Sequence, residues 1–268
     1  MPHLPSLAPS DHPGPRRRRR RWGLAIALLG VAAALLSSCG SRPGQVLDLY
    51  NWKLTLPVPA AGSSTAAEVL QPSLDHYSID PWFRVNRAHN GVVFTANAGG
   101  ATTGGSGYAR SELREMTAHG RSLASWSTTG ETSTLHLNEA VTHLPPVKPQ
   151  LVIAQIHGPS DDLVEVLADG FRGAASNRVG ICVRFKGVEA SNCLAYRYRL
   201  GDAFNLDISV AHGVITVGYA GRTHLTFTNS SSGNYFKAGA YIQSNPSKGD
   251  TPSAYGQVVM YQLAFSHH

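Results

Sequence analysis

Three short segments of the chain carry polar side chains at every second position, where a β-strand would present them on one face. In Arg110-Ser111-Glu112-Leu113-Arg114 the repeating set is Arg110, Glu112 and Arg114. In Gln155-Ile156-His157 it is Gln155 and His157, with Ala154 and Ile156 turned the other way. In residues 235–243 it is Tyr235, Lys237, Gly239, Tyr241 and Gln243, while Phe236, Ala238, Ala240 and Ile242 make an apolar opposite face. Arginine holds a carboxylate in a two-point fork. Glutamine donates without a charge, and a histidine near its reference pKa of about 6.5 offers a free lone pair. Tyrosine brings a ring to a sugar face and a hydroxyl for proton transfer. Together these are the groups of a groove for an anionic, hydroxyl-rich chain. One such segment alone is an ordinary solvated sheet face. Three, on strands that are otherwise well patterned, point to a shared site.

The elements that must position these groups are strands. Short β-branched runs recur, as at 91–95, 151–156 and 214–219, separated by turn clusters such as 97–107, with its five glycines, and 228–233. Neither an internal repeat nor a long linker interrupts them. The pattern predicts an all-β domain built as a two-sheet sandwich, with a single helical patch at 66–70. His267 and His268 end the chain and are expected to be solvated, and the other histidines outside the three segments carry no motif. Asp161, Asp162 and Glu165 resemble a glycosidase carboxylate pair only superficially. Asp161 and Glu165 would lie about 13 Å apart along a strand, beyond the hydrolase separations, and the two aspartates are expected in a loop.

The formal charge of +6 overstates any affinity for nucleic acid. Six arginines form one run, 16–21. Without residues 1–38 there remain 17 Lys+Arg against 16 Asp+Glu, which is nearly neutral. The arginine run, the apolar stretch 22–36 and Leu36-Ser37-Ser38-Cys39 read as a lipoprotein-type export signal over 1–38. The apolar stretch is too short for a membrane span, and the arginines also fit a twin-arginine route. On this reading Cys39 is the lipidated N-terminus, 39–45 a short tether and 46–268 the domain. The bland alternative is an ordinary signal peptide with an incidental cysteine. The expected location is the cell surface or envelope, or the medium, with membrane contact only through Cys39 and a monomeric chain. Export permits a disulfide. Cys182 and Cys193 flank a hairpin turn at 186–189, and a bridge there stabilises by about 2–3 kcal/mol. No Cys/His spacing suggests zinc, and neither a metal nor another cofactor is expected.

The segments Arg110-Ser111-Glu112-Leu113-Arg114-Glu115, Gln155-Ile156-His157 and 235–243 resemble, in order and spacing, the three signature blocks of the polysaccharide lyase family 7 alginate lyases. Residues 47–57 are similar to that family's first strand, and 91–94 and 99–103 to its run-up to the arginine strand. The resemblance spans about 46–265. It implies a β-jelly roll whose concave sheet forms the substrate cleft. It also implies β-elimination on poly(mannuronate/guluronate), endo cleavage, and no metal in the reaction. Arg110, Gln155 and His157 would surround the substrate carboxylate, and Tyr241 would protonate the leaving oxygen. Tyr241 would serve as base and acid for mannuronate, and His157 as the base for guluronate. Glu112, Arg114, Tyr235, Lys237 and Gln243 would bind neighbouring sugar units. Ile156 is associated in the family with guluronate-containing substrates. Two other readings stay open: a lyase for another polyuronate such as glucuronan, and a non-catalytic carbohydrate-binding sandwich, which would need the groove but not His157 with Tyr241. A glycoside hydrolase would need paired carboxylates that the chain lacks.

Overall fold

The computed structural model describes residues 41–173, 175, 177–190 and 192–268. The expected export signal and Cys39 lie outside the described residues. In chain order the strands are β1 Trp52–Pro59, β2 Ala66–Val69, β3 Phe83–Val85, β4 Val92–Asn97, β5 Arg110–Thr117, β6 Ser122–Leu123, β7 Ser133–His143, β8 Gln150–His157 and β9 Asp162–Asp169. They continue as β10 Val179–Phe185, β11 Val188–Glu189, β12 Ala195–Tyr198, β13 Phe204–Ala211, β14 Val214–Tyr219, β15 Thr223–Thr228, β16 Tyr235–Ile242 and β17 Tyr255–His267. The front sheet runs β11-β10-β9-β8-β16-β5-β1-β2, with β12 also on β10 and β6 on β5. The back sheet runs β15-β14-β13-β7-β17-β4-β3. This is the two-sheet jelly-roll sandwich that the alternation and the resemblance led us to expect.

Period-2 patterning sets the two faces. Leu54, Leu113, Ile156 and Phe236 of the front sheet meet Phe94, Leu137, Ile208 and Val258 of the back sheet in one continuous core. Truncating such a residue, Leu113→Ala for example, costs about 2–5 kcal/mol. Glu115 also points inward and is fully buried. It accepts hydrogen bonds from Trp126 Nε1 at 2.9 Å, the Phe236 amide at 2.8 Å and His267 Nε2 at 2.7 Å. His267 is therefore not the solvated tail expected from its place near the end of the chain. β17 runs on to include it, and its ring packs against Trp126 and Phe236.

Residues 66–70 also depart from expectation: β2 pairs antiparallel with β1 instead of forming a helix. Ala66 and Val69 are its buried positions. That spacing of three mimics a helical face, but Ala67 and Val69 turn to the core in ordinary alternation and Ala66 is buried apart from it. Within the stretch read as a tether, Pro43–Gln45 form a 3-10 turn and Pro43 is buried. Cys182 and Cys193 are joined by a disulfide, because β11 folds back on β10 and the chain continues along the same edge into β12.

Two irregularities shape the front sheet. β8 carries one more residue than β9 between Val152 and Ala154, and β16 one more than β8 between Ala238 and Tyr241. Ile153 and Ala154 both join the core. The outward set of β8 thus changes from Gln150 and Val152 to Gln155 and His157. Gly239 stands at this break with φ 137°, and a Cβ there would lie 2.6 Å from the Ser111 carbonyl oxygen. Only glycine fits.

Candidate active site

β16 pairs with β5 on one side and β8 on the other, so the three polar segments share one outer face. The register sets Lys237 between Arg114 and Gln155, Tyr241 between Arg110 and Val152, Tyr235 beside His157 and Gly239 beside Glu112. A cleft of about 330 Å³ opens above them. Arg110, Arg114, His157, Tyr235, Lys237 and Tyr241 line it. Glu112 and Gln155 lie in its floor, 2% and 0% exposed, and Gln243 is buried beyond the end of β16.

Glu112 is the hub of that floor. Its Oε2 meets Lys237 Nζ at 2.6 Å and Arg110 Nη1 at 3.0 Å, and Gln155 Nε2 donates to its Oε1. Burial alone would raise the Glu112 pKa, but Lys237 and Arg110 hold it below the usual carboxylate value. Burial lowers the Lys237 pKa, with Glu112 opposing. Burial also works against the Arg110 charge, and Glu112, Tyr241 and Asp162 together more than offset it. In the floor one carboxylate thus faces Arg110, Lys237 and nearby Arg114, a local concentration of positive charge suited to a substrate carboxylate, although Glu68, Asp161 and Asp162 also line the cleft.

The proton-transfer candidates are held from several sides. The Arg110 guanidinium lies 3.8 Å over the Tyr241 ring, and that of Arg114 lies 3.9 Å over Tyr235. Tyr235 stacks on His157 at 5.0 Å and 13°. The Tyr241 hydroxyl shares a 2.9 Å hydrogen bond with Ser106 Oγ. His157 Nδ1 meets the Gly158 carbonyl at 2.5 Å. A carbonyl only accepts, so the proton sits on Nδ1 and the lone pair on Nε2, which is 3.4 Å from Asp162 Oδ1. Burial lowers the His157 pKa; the Gly158 bond and Asp162 oppose this and Lys237 adds to it. Burial raises the Tyr241 pKa against the pull of Arg110 and Ser106. Near neutral pH the cleft therefore holds a neutral imidazole and a protonated phenol, a base and an acid.

Arg110 Nε, Arg114 Nε, Gln155 Oε1 and Gln243 Nε2 are buried without a protein partner. Each such group costs about 1–3 kcal/mol unless something else satisfies it. Arg110 and Arg114 line the cleft and Gln155 lies in its floor, so three of these four groups belong to the site.

Several contributors were not singled out from sequence. Lys53 and Glu68, paired at 2.6 Å, extend the cleft across β1 and β2. Lys53 and Thr55 continue the polar alternation, and that signal was readable. Ser106 arrives from the glycine-rich loop with no such signal. Asp162, expected in a loop, opens β9 and turns toward His157. On the far side Arg184 reaches Gln243 Oε1 at 3.2 Å, Glu165 Oε2 at 3.3 Å and Gln150 Oε1 at 3.3 Å. Among the described residues no three His, Cys, Asp or Glu side chains converge as metal ligands.

Residues 47–267 match a family model described as alginate lyase. Among solved structures, the alginate lyase AlgAT5 from polysaccharide lyase family 7 is 44% identical, with a TM-score of 0.78 over 85% of this chain and 99% of that one. The alginate lyase from Corynebacterium sp. is 42% identical, with a TM-score of 0.78 over 85% and 98%. Alginate lyase A1-II′, as a tyrosine-to-phenylalanine variant in complex with product, is 27% identical, with a TM-score of 0.71 over 85% and 100%. No curated protein sequence matches the chain.

Proposed function

The chain belongs to the alginate lyases of polysaccharide lyase family 7, and from its cleft we propose how it carries out their reaction. It is a lyase that cleaves the 1,4-glycosidic bond of alginate by β-elimination, leaving a 4,5-unsaturated uronate at the new non-reducing end. The C5 proton lies alpha to a carboxylate, so its removal puts a second negative charge on that group. Preorganised donors must stabilise this dianion. In our proposal the Arg110 guanidinium does so together with the second N–H of the Gln155 amide, whose first is given to Glu112, with His157 beside them. His157 Nε2 takes the C5 proton, and the C–H electron pair becomes the C4–C5 double bond. The C4–O4 bond breaks, and O4 receives the Tyr241 phenolic proton. Arg114, Tyr235, Lys237 and Gln243 position the flanking sugars, and Glu112 orients Arg110, Lys237 and Gln155.

One observation carries this assignment of base and acid. His157 pairs with Tyr235, so its backbone lies about 20 Å along β16 from that of Tyr241, yet both side chains line one cleft. They reach the substrate from opposite ends. Such an approach suits guluronate, whose C5 proton and O4 lie on opposite sides. Mannuronate would require Tyr241 as base, and burial disfavours its phenolate. We therefore assign a preference for guluronate at the cleavage site. Ile156 is fully buried in the core, so any influence it has on block choice passes through packing. Binding groups continue toward both edges of the sheet, with Lys53 on one side and Arg184 on the other, which supports endo cleavage. Export, the Cys39 anchor and a monomer acting outside the cell complete the proposal.

The test is the ultraviolet absorbance of unsaturated ends on polyguluronate, polymannuronate and glucuronan, with and without chelator and beside Tyr241→Phe. A rise on polyguluronate, indifferent to chelator and lost in the variant, is expected. A faster rise on polymannuronate would overturn the base assignment. Absorbance on glucuronan alone would overturn the substrate.

A further inference from the structure

A second groove, of about 580 Å³, lies where β12 of the front sheet meets the β14–β15 hairpin of the back sheet. Tyr196, Arg197, Tyr198, Tyr219 and Arg222 line it. It is separate from the cleft, since β12 stands four strands from β16, about 19 Å at ordinary strand spacing. Irregular pairing of β12 with β10 leaves Tyr196 and Arg197 exposed between the paired residues Ala195 and Tyr198. Ala220 and Gly221 both have positive φ and close a two-residue turn, so Arg222 comes back beside Tyr219.

The rings are fixed in place. The Tyr196 hydroxyl accepts from the Cys193 amide at 2.8 Å, next to the disulfide. The Tyr198 hydroxyl is 2.9 Å from both the Val141 amide and the Asp202 carbonyl oxygen. Tyr219 packs on Phe204 at 5.0 Å. The charges are not spent internally. Arg199 is tied to Asp202 at 2.9 Å, but neither Arg197 nor Arg222 pairs with an acidic side chain among the described residues. Immobilised tyrosines with unpaired guanidinium groups repeat the chemistry of the cleft without its acid and base. Tyr198 is buried and anchors the groove floor, so the rings of Tyr196 and Tyr219 are the ones that suit sugar faces, and the arginines suit carboxylates.

We propose that this groove is a non-catalytic holding site for the uronate polymer. It binds a second stretch of alginate while the cleft works on the first, and so rests on the lyase reading above. Two sites on one polymer raise the effective concentration at the cleft. Short oligomers cannot span both sites and gain nothing.

Arg197→Ala/Arg222→Ala in the otherwise active protein tests this. The KM on polymeric alginate should rise about 3- to 10-fold, with kcat and the tetramer KM unchanged, and Arg197→Lys/Arg222→Lys should recover part of the loss. In a Tyr241→Phe background, retention on immobilised alginate should fall by a similar factor and become less salt-sensitive. Unchanged polymer KM and retention would overturn the proposal. Equal losses on polymer and tetramer would do so too, by placing the effect in the cleft or the fold. If retention is unchanged but the double variant loses a co-purifying protein, the groove is a protein interface instead. A protein that cleaves no alginate would sink the lyase reading, while the retention assay still reports on the groove.

Discussion

Glu112→Gln would test the electrostatic floor of the cleft. One carboxylate oxygen holds Lys237 Nζ at 2.6 Å and Arg110 Nη1 at 3.0 Å, so the two cationic nitrogens lie within about 6 Å of each other. Two unit charges at that separation repel by roughly 3 kcal/mol at an effective dielectric of ~20. The wild-type carboxylate neutralises this repulsion and glutamine does not. A destabilisation of about 3 kcal/mol follows, within the range for breaking a buried ion pair. For a domain of this size that lowers Tm by about 6–12 °C. Urea unfolding should show a lower midpoint with an unchanged slope.

The pH dependence of this variant has a definite sign. Burial already holds the folded-state pKa of Lys237 below its unfolded value, and loss of Glu112 lowers it further. Between the folded and unfolded values the unfolded chain binds more protons, so stability rises with pH. The deficit of the variant against wild type should therefore shrink as pH is raised. Lys237→Met in the same background removes one of the repelling charges and should restore most of the loss, a coupling that a double-mutant cycle measures. A variant within about 1 kcal/mol of wild type at pH 7 would refute the reasoning, since that is the ordinary effect of a substitution touching no buried network. So would a failure of Lys237→Met to rescue.

The remaining predictions concern the proton-transfer pair, the disulfide and the core. The Ser106 hydrogen bond favours the Tyr241 phenolate, so Ser106→Ala should move the alkaline limb of the kcat profile to higher pH, whereas an unmoved limb would remove Ser106 from the mechanism. Asp162 favours the His157 imidazolium, so Asp162→Asn should move the acid limb of kcat/KM to lower pH, and a shift upward would contradict the geometry. Reducing the Cys182–Cys193 bridge should cost about 2–3 kcal/mol in urea unfolding, the loop-entropy value for its short loop; no change would mean the bridge does not constrain the unfolded chain. Glu139 is fully buried with neither oxygen partnered, and burial raises its pKa well above normal. The folded protein thus keeps a proton that the unfolded chain releases above about pH 4.3, and stability falls as pH rises from there through the folded-state value. Glu139→Leu should add about 1–3 kcal/mol at neutral pH and flatten that fall, and parallel pH curves for the two proteins would count against it.

The sandwich and the main cleft residues were legible because both depend on period-2 alternation, which a strand converts directly into faces. Phe236, Ala238, Ala240 and Ile242 fill the core as their spacing requires, and Arg110, Glu112 and Arg114 share the outer face for the same reason. What alternation cannot express was missed. The switch of faces in β8 depends on an extra residue inserted against β9, and strict alternation from Gln150 would have buried His157. The inward turn of His267 depends on Glu115, 152 positions away. Ser106 reaches Tyr241 across 135 residues from a loop whose composition shows only that it bends. Glu112 was legible as a polar strand residue, but its capture by three partners at once depends on the register of β16 against both neighbours.

The site divides its labour between sheet and loops in a way the chemistry requires. Charge on the substrate carboxylate must be offset before the C5 proton can leave, so the cations belong where position is fixed most firmly. Arg110, Arg114 and Lys237 sit on adjacent paired strands, with Glu112 beneath them and glycine at 239 leaving the floor open. Proton affinity is tuned from outside the strands, by Ser106 on Tyr241 and by the Gly158 carbonyl on His157, with Asp162 at the mouth of β9. Changes in those loops should therefore shift the pH profile and leave uronate binding nearly intact. Changes in the floor should disturb both, because the cations we assign to the carboxylate also act on the proton affinities of His157 and Tyr241.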